Sequence, residues 1–234
     1  MNRNEVLFKA CKILDANSIN YWICNGTLLG IIRENRILPW DHDIDIAVWE
    51  NEISKSKIME LFTNEGFATE PYFGEMDCID FVIDGTRLDI SFYNITNDIA
   101  SVKWLLPARG IVQKIIFIVS SVFSTNNFPK YWIKYWPLKK IITFIIALLS
   151  FTLKVLFPSH LRKKIARKGF NRIGYKGYSY PTKILQPSEY NYNGNIIYLP
   201  AKYEEVLINT YGKDWRIPKK DYIWDQEAEN LIDL

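Results

Sequence analysis

Three aspartates at alternate positions form the densest group of chemically active side chains in the sequence. Asp41, Asp43 and Asp45 lie within the run Pro-Trp-Asp-His-Asp-Ile-Asp-Ile, residues 39–46. Alternate side chains of a strand share a face, so Asp43 and Asp45 should point the same way, with Asp41 near the strand mouth. Carboxylates this close repel one another unless a cation lies between them. Because the ligands are oxygens, the pattern predicts a site for Mg²⁺ or Mn²⁺.

A further acidic ligand is expected on a neighbouring strand. Asp89 lies between apolar residues in Arg-Leu-Asp-Ile-Ser, residues 87–91, and its face of the strand also carries Arg87 and Ser91. A simpler hypothesis is that Asp89 forms a half-buried ion pair with Arg87. For the three clustered aspartates the simpler hypothesis is a solvated strand edge. The apolar alternate positions favour an internal strand instead.

The sequence therefore predicts two sets of residues at the acidic site, which differ in their roles. The residues predicted to be both catalytic and metal-binding are Asp43, Asp45 and Asp89. The residues predicted to support them are Asp41, His42 and Arg87.

A glycine-led helix start precedes the aspartates. The run Asn-Gly-Thr-Leu-Leu-Gly, residues 25–30, lies between a predicted strand and a predicted helix. Backbone N–H groups at a helix start, with the positive end of the helix dipole, bind phosphates. Gly26 allows close backbone approach, the Thr27 hydroxyl can donate, and Arg33 lies one and a half turns further on. Plain helix capping is the alternative, but the aspartates nearby favour a donor phosphate site of Gly26, Thr27 and Arg33.

Hydrophobic periodicity and turn residues predict the elements that position these groups. Helices are predicted over residues 4–17, 27–34 and 201–211, and strands over residues 21–24, 43–48 and 195–199. Asn51 is predicted to cap a helix that ends near Glu65. Strands over residues 78–83 and 86–93 should form a hairpin, because Asp84-Gly85 is a favoured two-residue turn.

Charge is distributed unevenly along the 234 residues. Residues 99–188 contain no Asp or Glu but hold 16 of the 29 Lys and Arg residues. The rest of the chain has 13 basic residues against all 26 acidic ones. This division predicts two tasks, metal binding and contact with an anionic surface or substrate.

Cysteine and histidine content excludes some classes of protein. The three cysteines, Cys11, Cys24 and Cys78, have no CxxC spacing and are predicted to be reduced. With two histidines in the chain, a His/Cys zinc site is not expected. The first residues contain neither a long apolar run nor a small-residue cleavage site, which predicts a cytoplasmic protein.

The basic part of the chain contains two apolar stretches, residues 110–122 and 141–157, and an aromatic cluster at 131–136. Both stretches are shorter or more interrupted than the roughly 20 apolar residues of a membrane span. One hypothesis is that residues 103–168 form a helical layer on the inner face of the cytoplasmic membrane, aided by the basic cluster at 162–168. The alternative is a helical subdomain packed on the catalytic core.

Together these motifs resemble the LicD/fukutin family. The family pattern is matched by Gly-Thr-Leu-Leu-Gly at residues 26–30, by Arg33 and by Ile-Leu-Pro-Trp-Asp-His-Asp-Ile-Asp at residues 37–45. It is matched further by Leu-Asp-Ile at residues 88–90 and by a closing segment at residues 199–215 that contains Tyr-Gly-Lys-Asp-Trp. The resemblance covers about the first hundred and the last forty-five residues, and the middle of the chain matches no motif.

The resemblance implies an α+β fold of the DNA polymerase β-type nucleotidyltransferase kind. Such a fold has a small mixed sheet flanked by helices, here with a helical basic insertion. The implied division is a catalytic core at residues 1–100, an insertion at 101–188 and a C-terminal element at 189–234 that packs on the core.

The resemblance also implies an activity. Family members transfer phosphocholine or polyol phosphate from a CDP-linked donor to a sugar. The implied acceptor is a cell-surface glycan, such as lipopolysaccharide, teichoic acid or capsule, or its lipid-linked precursor. Two alternatives stay open: a nucleotidyltransferase that moves the nucleotide to a small acceptor, and a non-catalytic membrane- or glycan-binding module. No helix-turn-helix or RNP-like pattern accompanies the basic residues, so nucleic acid is not an expected partner.

Overall fold

A computed structural model of the chain describes residues 1–70, 75–124, 148, 151, 152 and 155–233. The chain divides into two compact units. The larger unit consists of Met1–Thr69, Asp77–Lys103 and Gly177–Asp233. The smaller unit consists of Glu70–Met76 and Trp104–Lys176. The borders of these units differ from the predicted borders after residues 100 and 188.

Helices and strands alternate along the described residues. The helices are α1 (Arg3–Ala16), α2 (Asn25–Glu34), α3 (Lys55–Asn64), α4 (Ile111–Ser124), α5 (Ser159–Ile173), α6 (Tyr203–Tyr211) and α7 (Trp224–Glu227), with a 3₁₀ turn at Thr182–Ile184. The strands are β1 (Tyr21–Ile23), β2 (Asp43–Trp49), β3 (Ala68–Thr69), β4 (Cys78–Ile83), β5 (Thr86–Thr96), β6 (Ile99–Leu105), β7 (Tyr175–Pro181), β8 (Pro187–Tyr192), β9 (Asn195–Pro200) and β10 (Leu231–Asp233).

The larger unit is built on a mixed sheet. In the described residues eight strands take part, in the order β1-β2-β5-β6-β7-β10, with β4 beside the first half of β5 and β3 beside β4. Strands β2 and β5 are parallel, whereas β1 with β2 and β4 with β5 are antiparallel. Helices α1, α2 and α3 pack against these strands. The mixed sheet with its helices confirms the predicted fold class. Strand β7 belongs to this sheet although it lies within the predicted insertion.

Local sequence explains where the first helices begin. Asn2 and Glu5 form a capping box at the start of α1, each side chain bonding a backbone N–H of the other residue. The prediction that Asn51 caps α3 was wrong, because the residues after β2 first form a turn. Ser54 is the N-cap, and its hydroxyl accepts the N–H of Lys57.

The predicted hairpin is confirmed. Asp84 and Gly85 have φ values of +49° and +78°, the left-handed conformation that a tight two-residue hairpin turn requires. The second strand continues to Thr96, beyond the predicted end at residue 93, because its last residues pair with β6.

An aromatic cluster packs at one end of the sheet. The ring centre of Trp22 lies 4.5 Å from that of Trp49 and 5.2 Å from that of Tyr93, and all three residues are buried. Trp49 and Tyr93 pair across β2 and β5. Because side chains two residues apart share a face, this cluster anchors the same sheet face that carries Asp45 and Asp89.

In the part of the smaller unit that the structure describes, helices α4 and α5 pack against each other. Phe117 on α4 and Phe170 on α5 have ring centres 6.1 Å apart. A Cβ at Gly169 would lie 1.9 Å from the Ser120 hydroxyl oxygen, so this close approach requires glycine. The predicted aromatic cluster at 131–136 and most of the apolar stretch at 141–157 lie outside the described residues. Across the part of the chain that the structure describes, no helix is long and apolar enough to cross a membrane.

Candidate active site

Strand pairing brings the predicted acidic residues together. The parallel register of β2 and β5 places Asp45 beside Asp89 and Asp43 beside Arg87. The antiparallel register of β4 and β5 places Asp80 on the other side of Asp89. Paired residues of neighbouring strands share a face, so these side chains form one polar area on the sheet.

Two groups of three residues in the described chain offer closely spaced ligand atoms. The first consists of Asp41, Asp43 and Asp45, whose carboxylate oxygens lie within 4.8 Å of one another. The second consists of Cys78, Asp80 and Asp89, with the same spacing. The predicted set of Asp43, Asp45 and Asp89 is thus drawn from both groups, which meet at the Asp45–Asp89 pair.

Burial and mutual repulsion disfavour the charged forms of these carboxyl groups. Burial, then a hydrogen bond and the charge from Asp43, raise the pKa of Asp41 to about 7. Burial, followed by the charges of Asp43 and Asp41, raises the pKa of Asp45. Burial, followed by the charge of Asp80, raises the pKa of Asp89. For Asp41 the free energy of unfolding therefore falls as the pH rises from 3.8 to about 7. A bound cation would offset this cost, so the oxygen donor set fits Mg²⁺ or Mn²⁺.

Arg87 supplies positive charge at the second group. Its Nε donates to Asp89 Oδ1 at 2.9 Å, and its Nη2 donates to Asp80 Oδ2 at 2.8 Å. The ion pair expected by the simpler hypothesis is therefore present, with the Arg87 side chain 37% exposed and that of Asp89 15% exposed. A structural ion pair and a catalytic role are compatible here, because several carboxylates on one face need a counter-charge.

The first turn of α2 orients Asp45. The backbone N and the hydroxyl oxygen of buried Thr27 each lie 3.3 Å from Asp45 Oδ2. The same hydroxyl accepts the N–H of Asp45 at 2.9 Å, and Asn25 Nδ2 lies 3.4 Å from Asp45 Oδ1. The groups of Thr27 that the sequence suggested for a donor phosphate thus bond the Asp45 carboxylate in this structure.

Asp41 occupies the space above Gly26. A Cβ added to Gly26 would lie 2.1 Å from Asp41 Oδ2. The N–H of His42 donates to Asp41 Oδ1 at 3.0 Å, while the His42 side chain is exposed. Arg3 donates to the Asp41 carbonyl oxygen and holds the loop from the other side. The absence of a side chain at Gly26 therefore allows the close approach of the Asp41 carboxylate, whereas the sequence interpretation expected a donor phosphate at this position.

Arg33 makes contacts that the sequence did not suggest. Its Nη1 donates to the Trp215 carbonyl oxygen at 3.3 Å, and its Nη2 donates to Glu34 Oε1 at 2.9 Å. The side chain is 7% exposed. These contacts tie α2 to the segment after α6 and do not bring Arg33 into either acidic group.

Asp80 is a site residue that the sequence interpretation missed. The predicted hairpin already implied this residue. If Asp84-Gly85 is the two-residue turn, Ile83 pairs with Thr86, and the antiparallel register then places Asp80 opposite Asp89. Asn25 was also missed, because nothing in the sequence indicates which side chain its amide contacts.

A mixed sheet with carboxylates on two adjacent parallel strands, next to a glycine-led helix start, defines a nucleotidyltransferase-type domain. Residues 18–142 match the family described as LicD/FKTN/FKRP, nucleotidyltransferase domain, and the chain belongs to this family. The resemblance found in the motifs is thereby confirmed.

Curated relatives match shorter parts of the chain. The ribitol-5-phosphate transferase FKTN of Homo sapiens is 29% identical over 93 residues, which cover 38% of this chain and 20% of that protein. The ribitol 5-phosphate transferase FKRP of Homo sapiens is 37% identical over 41 residues, 18% of this chain and 8% of that protein. An uncharacterized protein of Rickettsia prowazekii is 42% identical over 57 residues, 24% of this chain and 21% of that protein. These alignments span about a fifth of the relatives or less.

Solved structures show a weaker likeness. The lincosamide antibiotic adenylyltransferase LnuA, bound to lincomycin, aligns with a TM-score of 0.44 and 14% identity over 90% of this chain and 87% of that chain. ANT(2")-Ia in complex with adenylyl-2"-tobramycin aligns with a TM-score of 0.35 and 15% identity over 72% of this chain and 96% of that chain. Scores this low carry no conclusion about activity.

Proposed function

We propose that this protein is a phosphotransferase acting on glycans. It moves a phosphorylated group, of phosphocholine or polyol-phosphate type, from a CDP-linked donor to a sugar hydroxyl of a cell-surface glycan or its lipid-linked precursor. The observation that carries the proposal is the convergence of Asp43, Asp45 and Asp89 on one sheet face beside the start of α2. Family membership and the ribitol-phosphate transferases among the relatives support a transferred group linked through phosphate.

The acidic residues are proposed to hold Mg²⁺ or Mn²⁺. The proposed ligands are Asp43, Asp45 and Asp89, with Asp41 next to them in a supporting role. When bound, the cation would neutralise charge on the diphosphate of the donor. Thr27 keeps the Asp45 carboxylate in one orientation through its N–H and hydroxyl. Such fixed orientation matters because phosphoryl-type transfer depends mainly on positioning and charge neutralisation.

Further roles are proposed for the residues around the cation ligands. Asp89 is proposed to accept the proton of the attacking hydroxyl, since burial and Asp80 raise its pKa and favour the protonated product. Arg87 balances the charge of both carboxylates before and after that transfer. Backbone N–H groups of the first turn of α2, near Gly26, are proposed to contact the donor phosphates. Thr27 and Arg33 would then contribute indirectly, through Asp45 and Trp215.

Donor turnover tests this proposal directly. With Mg²⁺ and a glycan acceptor, the purified protein should release CMP from at least one of CDP-choline, CDP-ribitol and CDP-glycerol, and EDTA should stop the release. An Asp45→Asn preparation controls for contaminating hydrolases. Transfer of a nucleotide from CTP with release of pyrophosphate would favour the nucleotidyltransferase alternative. A protein that turns over no donor of either type would favour the non-catalytic alternative.

Contact with an anionic membrane, at the inner face of the cytoplasmic membrane, is proposed for the helices of the smaller unit. On α4 four apolar residues are exposed along one face, Ile111 by 79%, Val112 by 70%, Ile115 by 56% and Val119 by 45%. On α5 the exposed residues are mostly basic, and no acidic residue occurs in residues 99–188. Apolar residues together with an excess of positive charge are typical of surfaces that bind anionic lipid.

Liposome flotation tests this contact. The protein should float with vesicles that contain anionic lipid, and salt should weaken binding, because each Lys or Arg near such a surface contributes about 1 kcal/mol. Binding should drop when the basic cluster is changed to Ser: Arg162, Lys163, Lys164, Arg167 and Lys168. A matched control changes five lysines of the larger unit to Ser: Lys12, Lys57, Lys183, Lys202 and Lys213. Absence of flotation at low salt would favour the packed-subdomain alternative.

A further inference from the structure

The segment that follows α6 contacts two elements that carry residues of the acidic site. The Trp215 carbonyl oxygen accepts a hydrogen bond from Arg33 on α2, the helix whose first turn orients Asp45. Five residues later, Lys220 Nζ lies 5.2 Å from the ring centre of Trp40, the residue that precedes Asp41 in the chain. Residues 211–222 are therefore anchored both to the helix and to the loop that carry the site.

A pair of tyrosines at the two ends of this segment is held in a fixed arrangement. The ring centres of Tyr211 and Tyr222 lie 4.9 Å apart with the ring planes at 54°. The Tyr222 hydroxyl donates to the Thr210 carbonyl oxygen at 3.0 Å. The Thr210 hydroxyl in turn lies 2.6 Å from that of buried Tyr180 on β7. The orientation of the Tyr211 ring is thus set by neighbours that are themselves anchored to the sheet.

The Tyr211 hydroxyl makes no hydrogen bond to the residues that the structure describes. Burial first, then the charges of Tyr178 and Asp45, raise the pKa of this hydroxyl. The hydroxyl therefore stays protonated at neutral pH. Tyr211 is a half-buried residue with an unused donor, and it begins the segment that contacts α2 and the residue before Asp41. Such a side chain is suited to contact a substrate.

We propose that Tyr211 binds the nucleobase of the donor, with its ring stacked on the base and its hydroxyl available to a polar atom of the base. The inference rests on the proposed function, since it takes a CDP-linked donor as given. A nucleobase fits an oriented aromatic ring because its flat π-face stacks on tyrosine without requiring a particular sequence of polar contacts. Tyr211 would then position the nucleotide while the aspartates act on its phosphates.

Titration calorimetry with CDP, in the presence of Mg²⁺, tests this contact without requiring turnover. Tyr211→Ala should bind CDP about tenfold more weakly or worse, the loss expected when one base loses its aromatic partner. Tyr211→Phe keeps the ring and should retain most of the affinity. Tyr203→Ala, at the other end of α6, is the matched control and should bind like the wild type. Thermal melts of all variants establish that each is folded.

The possible results separate this inference from the proposed function. Equal CDP affinity for the wild type and a folded Tyr211→Ala would overturn the nucleobase contact and leave the proposed function intact. Equal losses for CDP and for inorganic pyrophosphate would also overturn it, because pyrophosphate has no base. A wild type that binds neither CDP nor CMP would overturn the donor class of the proposed function together with this contact.

Discussion

Asp45→Asn should abolish transfer, lower cation affinity and make the metal-free protein more stable than the wild type. Asp45 is 9% exposed, and burial and the charges of Asp43 and Asp41 raise its pKa. Asn has nearly the same shape but no charge, so it removes the repulsion in the metal-free state and also removes a cation ligand. The rate of CMP release should fall more than about 100-fold, beyond the usual effect of losing an outer-shell partner of a metal ligand.

Thermal melts with and without Mg²⁺ provide the measurement that goes with the activity assay. The wild type should melt at a higher temperature when Mg²⁺ is added, because the ion binds only the folded state. Asp45→Asn should start from a higher melting temperature and respond little to the ion. Asp98→Asn, at an exposed turn away from the site, should behave like the wild type in both assays. Full activity of Asp45→Asn, or of the wild type in EDTA, would refute the metal mechanism.

Gly26→Val should impair the site by displacing the Asp41 carboxylate, whereas Asp45→Asn removes a cation ligand. Even a Cβ at this position would lie 2.1 Å from Asp41 Oδ2, so the Asp41 carboxylate must leave its present position in the group with Asp43 and Asp45. We expect weaker cation binding, a higher apparent KM for the donor and a loss of transfer activity. Gly26→Ala should show the same changes to a smaller extent, because it adds fewer atoms at the same place.

Calorimetry with Mn²⁺ and with CDP measures the two affinities of the Gly26 variants separately. Gly110→Val is the matched control, since a Cβ there would meet no atom within 4 Å. If a folded Gly26→Val protein keeps both affinities, Gly26 is neither a phosphate contact nor a requirement for the position of Asp41.

Several features of this protein follow from local sequence. The alternation of Asp43 and Asp45 with apolar residues determines that both carboxylates share a face, because side chains alternate along a strand. The Asp84-Gly85 turn determines the hairpin and its register, because a two-residue turn leaves little freedom in the pairing. The register of Asp80 with Asp89 was therefore implicit in the sequence. The family, too, was recognisable from the motifs around residues 26–45.

Other features were decided only by the tertiary structure. The parallel pairing that places Asp45 beside Asp89 joins strands separated by a long crossover, and no local signal sets its register. Thr27 and Arg33 looked like phosphate contacts, yet one bonds Asp45 and the other bonds Trp215, 182 residues away along the chain. A hydroxyl or guanidinium can donate to any acceptor within reach, so its partner depends on which segments the fold brings close. For the same reason local sequence does not single out Tyr211, because the contacts of the segment after α6 with α2 and Trp40 arise only in the folded chain.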